Sequence, residues 1–362
     1  MTSICLVAGG TGGHIFPAIA FAEWIKMNVK EVSVSFVCGA RQLEREIYGE
    51  SGLEPYILPL DGSPFGTAGL SKRVGRAWRI VLSYHAFRAF LRRNSPDVCV
   101  LFGGYVSFIP LLMSHLRRIP VVIHEQNAVA GKITRLASSL RKPVASGWSE
   151  CRPLSPGKFI RTGIPVRPFS RIPRHEAWKS MGLGELPPNR TVVGVLGGSL
   201  LSPRLVQLVG DVVTDRDFAD VSFLFIGEKS LSDPSKEPEC ASEALFYVKR
   251  QSDMSSFFSV VDLVVTRGGA STLAELAALG IPAVVVPWLG AAGNHQELNA
   301  RLFTGQNDGE VWLEGDPPVA LKRSMLNLLG VARKSVRSEK KVGDESESLW
   351  RLISSSIGRE IV

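Results

Sequence analysis

Four times in 362 residues a short apolar run ends in a glycine pair and a helix-forming pattern follows: at Gly9-Gly10, Gly103-Gly104, Gly197-Gly198 and Gly268-Gly269. The runs are Ser3 to Val7, Val98 to Phe102, Val192 to Leu196 and Leu263 to Thr266. Strands apolar on consecutive residues are buried on both faces, as in parallel sheets covered by helices. Strand and helix alternation of this kind implies right-handed βαβ crossovers and an open Rossmann-like α/β sheet. Val32 to Cys38, Val121 to His124, Val221 to Ile226 and Ala283 to Val286 supply further strands.

The pattern runs twice, with a weakly periodic Pro- and Arg-rich segment, Arg152 to Pro188, in the middle. A chain of this length suits two domains. The expected fold class is therefore α/β with two Rossmann-like domains, residues 1–162 and 163–344. The hinge is put at Gly163-Ile164-Pro165, where a strand-like Phe159 to Thr162 ends and proline forbids a helix. Leu349, Leu352, Ile353 and Ile357 recur at helical spacing, so residues 345–362 are expected to form an amphipathic helix packed back on the N-terminal domain. Leu276 to Gly293 is uncharged and long enough to suggest a membrane span, but Gly280-Ile281-Pro282 and Pro287 interrupt it; helix, turn and buried strand account for it better.

Lys and Arg number 42 against 34 Asp and Glu, a net charge of +8 that favours phosphates or an acidic membrane surface as partners. The five cysteines form no C-x-x-C pair and read as reduced core thiols of a cytosolic protein, and no secretory signal is read at the start.

In open α/β sheets ligands bind at the carboxyl ends of strands, so the glycine turns are where chemistry is expected. Gly9-Gly10-Thr11-Gly12-Gly13-His14 opens a helix, and bare backbone N–H groups at a helix N-terminus suit phosphate. The spacing fits a dinucleotide fingerprint poorly and no Walker lysine follows. His14 is read either as a neutral general base, its imidazolium disfavoured by the helix end, or as a residue capping that helix. Gly103-Gly104-Tyr105 enters a second helix beside the first. His124-Glu125-Gln126-Asn127 packs four polar side chains at one strand end, read as a binding rim with Glu125 or Asn127 hydrogen-bonding sugar hydroxyls or peptide, or, for His124 and Gln126, as a turn that caps a helix. In the second half Gly197-Gly198-Ser199 and Arg267-Gly268-Gly269 can contact a second phosphate group, and Glu275 reads either as a ribose ligand or as a favourable acid in the first helical turn. Asp215-Arg216-Asp217 reads as a solvated turn rather than a metal clasp. Leu70 to Arg93 is basic and amphipathic; docking on an acidic bilayer and ordinary core packing both fit it, and a nucleic-acid role has less support.

These motifs, with Gly269-Ala270-Ser271-Thr272, Asn294-His295-Gln296 and Asn299-Ala300, occur in one order along nearly the whole chain, and they closely resemble the peptidoglycan N-acetylglucosaminyltransferase family. The resemblance implies a GT-B fold, two domains facing a central cleft. It implies inverting transfer of N-acetylglucosamine from UDP-N-acetylglucosamine to the C4 hydroxyl of lipid I, giving lipid II, with no metal or other cofactor. It puts the protein at the cytoplasmic face of the inner membrane, peripherally bound to its anionic surface, with other cell-wall synthesis proteins as partners. His14, or Glu125, is the implied base. Gly13, His14, Gly104 and Tyr105 fall on acceptor-diphosphate positions. Thr11, Gly12, Gly13, Asn127, Arg167, Ser199, Ala270, Ser271, Thr272, Glu275, His295 and Gln296 fall on donor positions. Leu70, Val74, Trp78, Arg79 and Phe87 would meet the membrane. Two departures stand out: Leu200-Leu201-Ser202-Pro203 follows the third glycine turn where the family has Gln and then Gly-Ala, and Ile164 replaces an asparagine. An epimerase acting on the same donor, or a donor-binding regulator without turnover, are the rival readings.

Overall fold

A computed structural model describes residues 1–62, 70–186, 190–197, 202–213, 216–227, 245–249, 253–334 and 343–358. The chain divides into two compact units, Met1–Arg167 with Val342–Val362, and Pro168–Lys341. Gly163, Ile164 and Pro165 thus fall inside the first unit, a few residues before the division. Ile164 is buried there, and a Cβ on Gly147 would lie 2.4 Å from its side chain, so this isoleucine serves packing.

In the first unit the described strands are β1 (Thr2–Val7), β2 (Val32–Cys38), β3 (Tyr56–Ile57), β4 (Val98–Leu101), β5 (Val121–Glu125), β6 (Val144–Ser146) and β7 (Ile160–Arg161). They form one sheet in the order β3-β2-β1-β4-β5-β6-β7, parallel throughout. Its helices are α1 (Gly12–Asn28), α2 (Gln42–Glu50), α3 (Leu70–Asn94), α4 (Phe108–Leu116), α5 (Lys132–Ser139) and, from the chain's end, a helix at Asp344–Ser356. Alternation along β1 builds two cores: Ile4 and Leu6 face α1, while Cys5 and Val7 face α3, α4 and α5. Leu349, Trp350 and Ile353 of the last helix complete the α1 side, each such buried side chain contributing about 1.5–3 kcal/mol.

The second unit repeats the plan. Its described strands are β8 (Thr191–Leu196), β9 (Val221–Ile226), β10 (Leu245–Val248), β11 (Leu263–Thr266), β12 (Ala283–Val285) and β13 (Gly309–Val311), in the parallel order β10-β9-β8-β11-β12-β13. Its helices are α6 (Arg174–Ser180), α7 (Pro203–Val213), α8 (Ser255–Val260), α9 (Ala270–Leu279), α10 (His295–Thr304) and α11 (Pro318–Lys334); the Asp344–Ser356 helix is then α12. Leu276 to Gly293 resolves into the end of α9, a left-handed Gly280 (φ 61°), β12 and a loop. No helix among the described residues is long and apolar enough to cross a membrane. Strand order reverses at the β1/β4 pair and at the β8/β11 pair, so in each sheet the loops after these strands part and leave a crevice. The four glycine pairs follow these four strands.

One membrane assignment is corrected. Phe87 is fully buried among Phe90, Leu91 and Tyr105, whereas Trp78 is 62% exposed. The two lie nine residues apart, about two and a half helical turns, and so point to opposite sides of α3. The side chains of Leu70 and Val74 lie outside the described residues.

Candidate active site

In the first unit the turns after β1 and β4 close around one imidazole. Gly103 and Gly104 have φ of 82° and 72°, conformations that glycine adopts without strain. A Cβ on Gly103 would stand 3.4 Å from the His14 ring, and one on Gly104 would stand 2.8 Å from the Gly9 carbonyl oxygen. Side chains there would push the two turns apart. His14 occupies the first turn of α1, half-buried, with Nδ1 3.2 Å from Thr11 Oγ1. Gly12 lies against Phe16, whose ring carries the Arg167 guanidinium at 4.4 Å. Thr11, Gly12, Gly13, His14, Gly104 and Arg167 are therefore neighbours in the fold or joined through Phe16.

Tyr105 differs from the expectation. Its hydroxyl donates inward to Glu44 at 2.5 Å and approaches the Leu60 carbonyl at 3.2 Å, so the side chain anchors the turn from below. Glu44, missed in the sequence, is fully buried and also accepts the Gly39 N–H at 2.6 Å. One carboxylate thereby ties the turn after β2 to the turn after β4.

Glu125 has a similar structural task. Only 4% exposed, it accepts the N–H of Asn127 at 3.1 Å, the N–H of Gly131 at 2.9 Å and the Thr134 hydroxyl at 2.5 Å. With both oxygens engaged, it could take up a substrate proton only by giving up one of these bonds. Asn127 is partly exposed beside it. His124 is buried against Phe102 and joined to the Gly163 carbonyl at 2.8 Å and to Gln126 at 3.0 Å. Burial pulls its imidazole down from 6.5 to about 4, against the opposing pull of the Gly163 hydrogen bond. As pH falls from about 6.5 to 4 the unfolded chain takes the proton before the folded one. The first unit should lose stability across that window, by about 3 kcal/mol in full, as read from urea unfolding at stepped pH. A His124→Asn chain should lack that slope.

Two of the described thiols are poor nucleophiles: burial pushes Cys38 and Cys151 up to about 12.

In the second unit, Gly268 touches the start of α10. A Cβ there would stand 2.3 Å from the Gln296 carbonyl oxygen, and Asn299 Nδ2 donates to the Gly268 carbonyl at 3.0 Å. The N-termini of α9 and α10 are thus held side by side, with Ala270, Ser271 and Thr272 in the first turn of α9 and His295 and Gln296 in that of α10. Glu275 stands one turn further into α9. Gln296 Oε1 accepts the Trp288 N–H at 2.9 Å, and His295 Nδ1 donates to the Ala292 carbonyl at 2.9 Å, so each side chain is oriented. Adjacent helix N-termini provide converging N–H dipoles for a diphosphate. Arg267 is not offered to a ligand: at 6% exposure it pairs with Glu314 and donates to Ser202 Oγ at 2.8 Å and the Val286 carbonyl at 3.2 Å. Ser199 lies outside the described residues, as does Asp215; Asp217 pairs with Lys322 at 2.7 Å.

Two parallel Rossmann-like sheets, each with glycine turns at its strand-order reversal, are the paired domains of the GT-B class of fold. Residues 4–146 match the glycosyltransferase family 28 N-terminal domain and residues 192–347 its C-terminal domain. The chain belongs to glycosyltransferase family 28. It is 35% identical over 321 residues to the UDP-N-acetylglucosamine–N-acetylmuramyl-(pentapeptide) pyrophosphoryl-undecaprenol N-acetylglucosamine transferase of Desulforudis audaxviator, covering 83% of this chain and 82% of that one. The protein of the same name from Moorella thermoacetica is 32% identical over 336 residues, 86% and 85% of the two chains. Among solved structures, Acinetobacter baumannii MurG superposes with a TM-score of 0.65 at 21% identity, over 98% of this chain and all of that one. The UDP-GlcNAc 2-epimerase of Neisseria meningitidis, bound to UDP-GlcNAc, also scores 0.65, at 15% identity over 98% and 100%. These two likenesses establish the fold and do not separate transferase from epimerase.

Proposed function

We propose that this chain transfers N-acetylglucosamine from UDP-N-acetylglucosamine to the C4 hydroxyl of lipid I and so makes lipid II. The observation that carries the reading is the sequence likeness to transferases named for this reaction, over five-sixths of the chain. The geometry of each unit supports it. In the tautomer whose Nδ1–H donates to Thr11, His14 Nε2 is the basic nitrogen, and it takes the proton of the C4 hydroxyl. The freed oxygen attacks the anomeric carbon from the face opposite UDP, the bond from that carbon to the diphosphate oxygen breaks, and the pair stays on UDP. Inversion follows. The glycine turns of the first unit hold the acceptor diphosphate. The first turns of α9 and α10 receive the charge that develops on UDP, a task that preorganised N–H groups perform without a metal ion. Glu275 holds the ribose and Gln296 the sugar.

Attachment to the inner membrane is assigned to the outer side of α3, where Trp78, Val81, Leu82 and Tyr84 are exposed beside Arg79, itself paired with Asp61. Trp78→Glu leaves the core untouched and should release the protein from phosphatidylglycerol vesicles in a sedimentation assay; retention at the wild-type level would remove this face from the account.

The reading is tested by incubating the purified protein with labelled UDP-N-acetylglucosamine and a lipid-diphosphate muramoyl acceptor. Label is expected in the lipid fraction as a disaccharide. Interconverted donor sugar would instead identify an epimerase, and donor binding without transfer a regulator.

A further inference from the structure

The turn after β2 reaches the same mouth as the two glycine turns of the first unit, and it carries a cation. Arg41, the residue before α2, is exposed, yet its guanidinium is held on two sides. Its carbon Cζ stands 4.6 Å over the Tyr105 ring, and Nε donates to the Asp61 carbonyl at 2.7 Å. Nη1 extends to the Gly10 carbonyl oxygen at 3.5 Å, a long contact. Tyr105 is in turn fixed by Glu44, and the same ring walls Gly10, where a Cβ would lie 3.7 Å from it. Stacking on the ring and the Nε bond orient the planar group, while its outer edge lies at the junction of Gly10 with the Gly104-Tyr105 turn.

We propose that Arg41 binds the diphosphate of the lipid acceptor in the first unit, a deepening that rests on the function assigned above. Glycine turns supply N–H dipoles but no net charge. A sugar-lipid diphosphate carries negative charge on both phosphates, and a guanidinium fork matches phosphate oxygens in pairs. The buried Glu44 carboxylate has a place in this scheme: through Tyr105 and Gly39 it fixes the platform on which the cation rests, and so acts as a positioning residue.

The test compares wild type, Arg41→Gln and Arg41→Lys. Loss of a charge-assisted contact should raise the acceptor KM of Arg41→Gln about 10- to 100-fold, with a smaller change in kcat and the donor KM in place. Arg41→Lys should recover part of the loss. In parallel, inorganic pyrophosphate is titrated onto protein already saturated with UDP: wild type should bind it and Arg41→Gln should bind it at least about tenfold more weakly. An unchanged acceptor KM overturns the proposal. So does an equal rise in both KM values with a lowered melting temperature and no rescue by lysine, since that pattern marks a purely structural tether. If wild type transfers nothing to the lipid acceptor, the functional reading fails on its own, and the pyrophosphate titration still decides whether Arg41 binds a diphosphate.

Discussion

A His14→Ala enzyme is expected to keep its affinity for UDP-N-acetylglucosamine and to lose about 10²- to 10⁴-fold in kcat, the usual worth of a positioned general base. The imidazole is half-buried, held by Thr11 and bounded by Gly103 and Gly104, and it belongs to neither apolar core of the first unit, so alanine leaves both cores in place. Donor affinity should survive because the proposed nucleotide contacts on α9 and α10 belong to the other unit. Glu125→Gln gives the opposite profile. An amide NH₂ would replace one of the two oxygens that accept N–H and hydroxyl donors, leaving donor against donor, at a cost of about 1–3 kcal/mol in stability. Steady-state kinetics against pH for both variants separates the roles. The acidic limb of the rate profile should vanish with His14 and persist with Glu125→Gln, provided the latter is assayed below its lowered melting temperature. A larger kcat loss for Glu125→Gln, with His14→Ala near wild type, would exchange the two assignments.

The second large effect belongs to Gly268→Ala. The added methyl carbon would stand 2.3 Å from the Gln296 carbonyl oxygen and 2.9 Å from its carbonyl carbon, both backbone atoms that cannot rotate away. Either the turn after β11 or the start of α10 must move, and Asn299, fully buried, must then give up its bond to the Gly268 carbonyl. Overpacking with a lost buried hydrogen bond costs about 2–4 kcal/mol. The paired helix N-termini lose their common aim in the process, so UDP binding measured by calorimetry should weaken at least about tenfold, while vesicle binding is unaffected. Gly269→Ala is the control, since a Cβ there meets no atom within 4 Å. Equal UDP affinity for the two variants would mean that the α9 and α10 N-termini do not hold the diphosphate.

The strands and glycine turns were legible in the sequence because each physical requirement leaves a local mark. Strands buried on both faces must be apolar at every position, and turns that meet backbone to backbone at Gly104 and Gly268 must be glycine. The roles of Glu44 and Arg41 leave no such mark. In sequence Glu44 is an acid in the first turn of a helix, favourable there for its own reasons, and Arg41 a polar residue in a loop. Only the strand order, which sets β2 and β4 on either side of β1, brings Gly39, Glu44 and Tyr105 together. The surroundings of Glu125 are hidden in the sequence for a related reason. A polar cluster at a strand end looks the same whether its carboxylate faces a ligand or is enclosed by Asn127, Gly131 and Thr134. For α3 the periodicity announced an amphipathic helix but carried two aromatic stripes, Trp78 on one and Phe87 on the other, and the packing against α4 and the sheet selects which is inward.

N–H groups at glycine turns and helix starts, with nearby guanidinium groups, should stabilise two diphosphates well enough for sugar transfer to proceed without a metal ion. The initial rate of N-acetylglucosamine transfer in excess EDTA, set against the rate in millimolar magnesium, measures this directly. Equal rates and a product inverted at the anomeric carbon are expected; a rate abolished by the chelator and restored by added divalent metal would mean that these groups do not suffice and that transfer needs a metal ion.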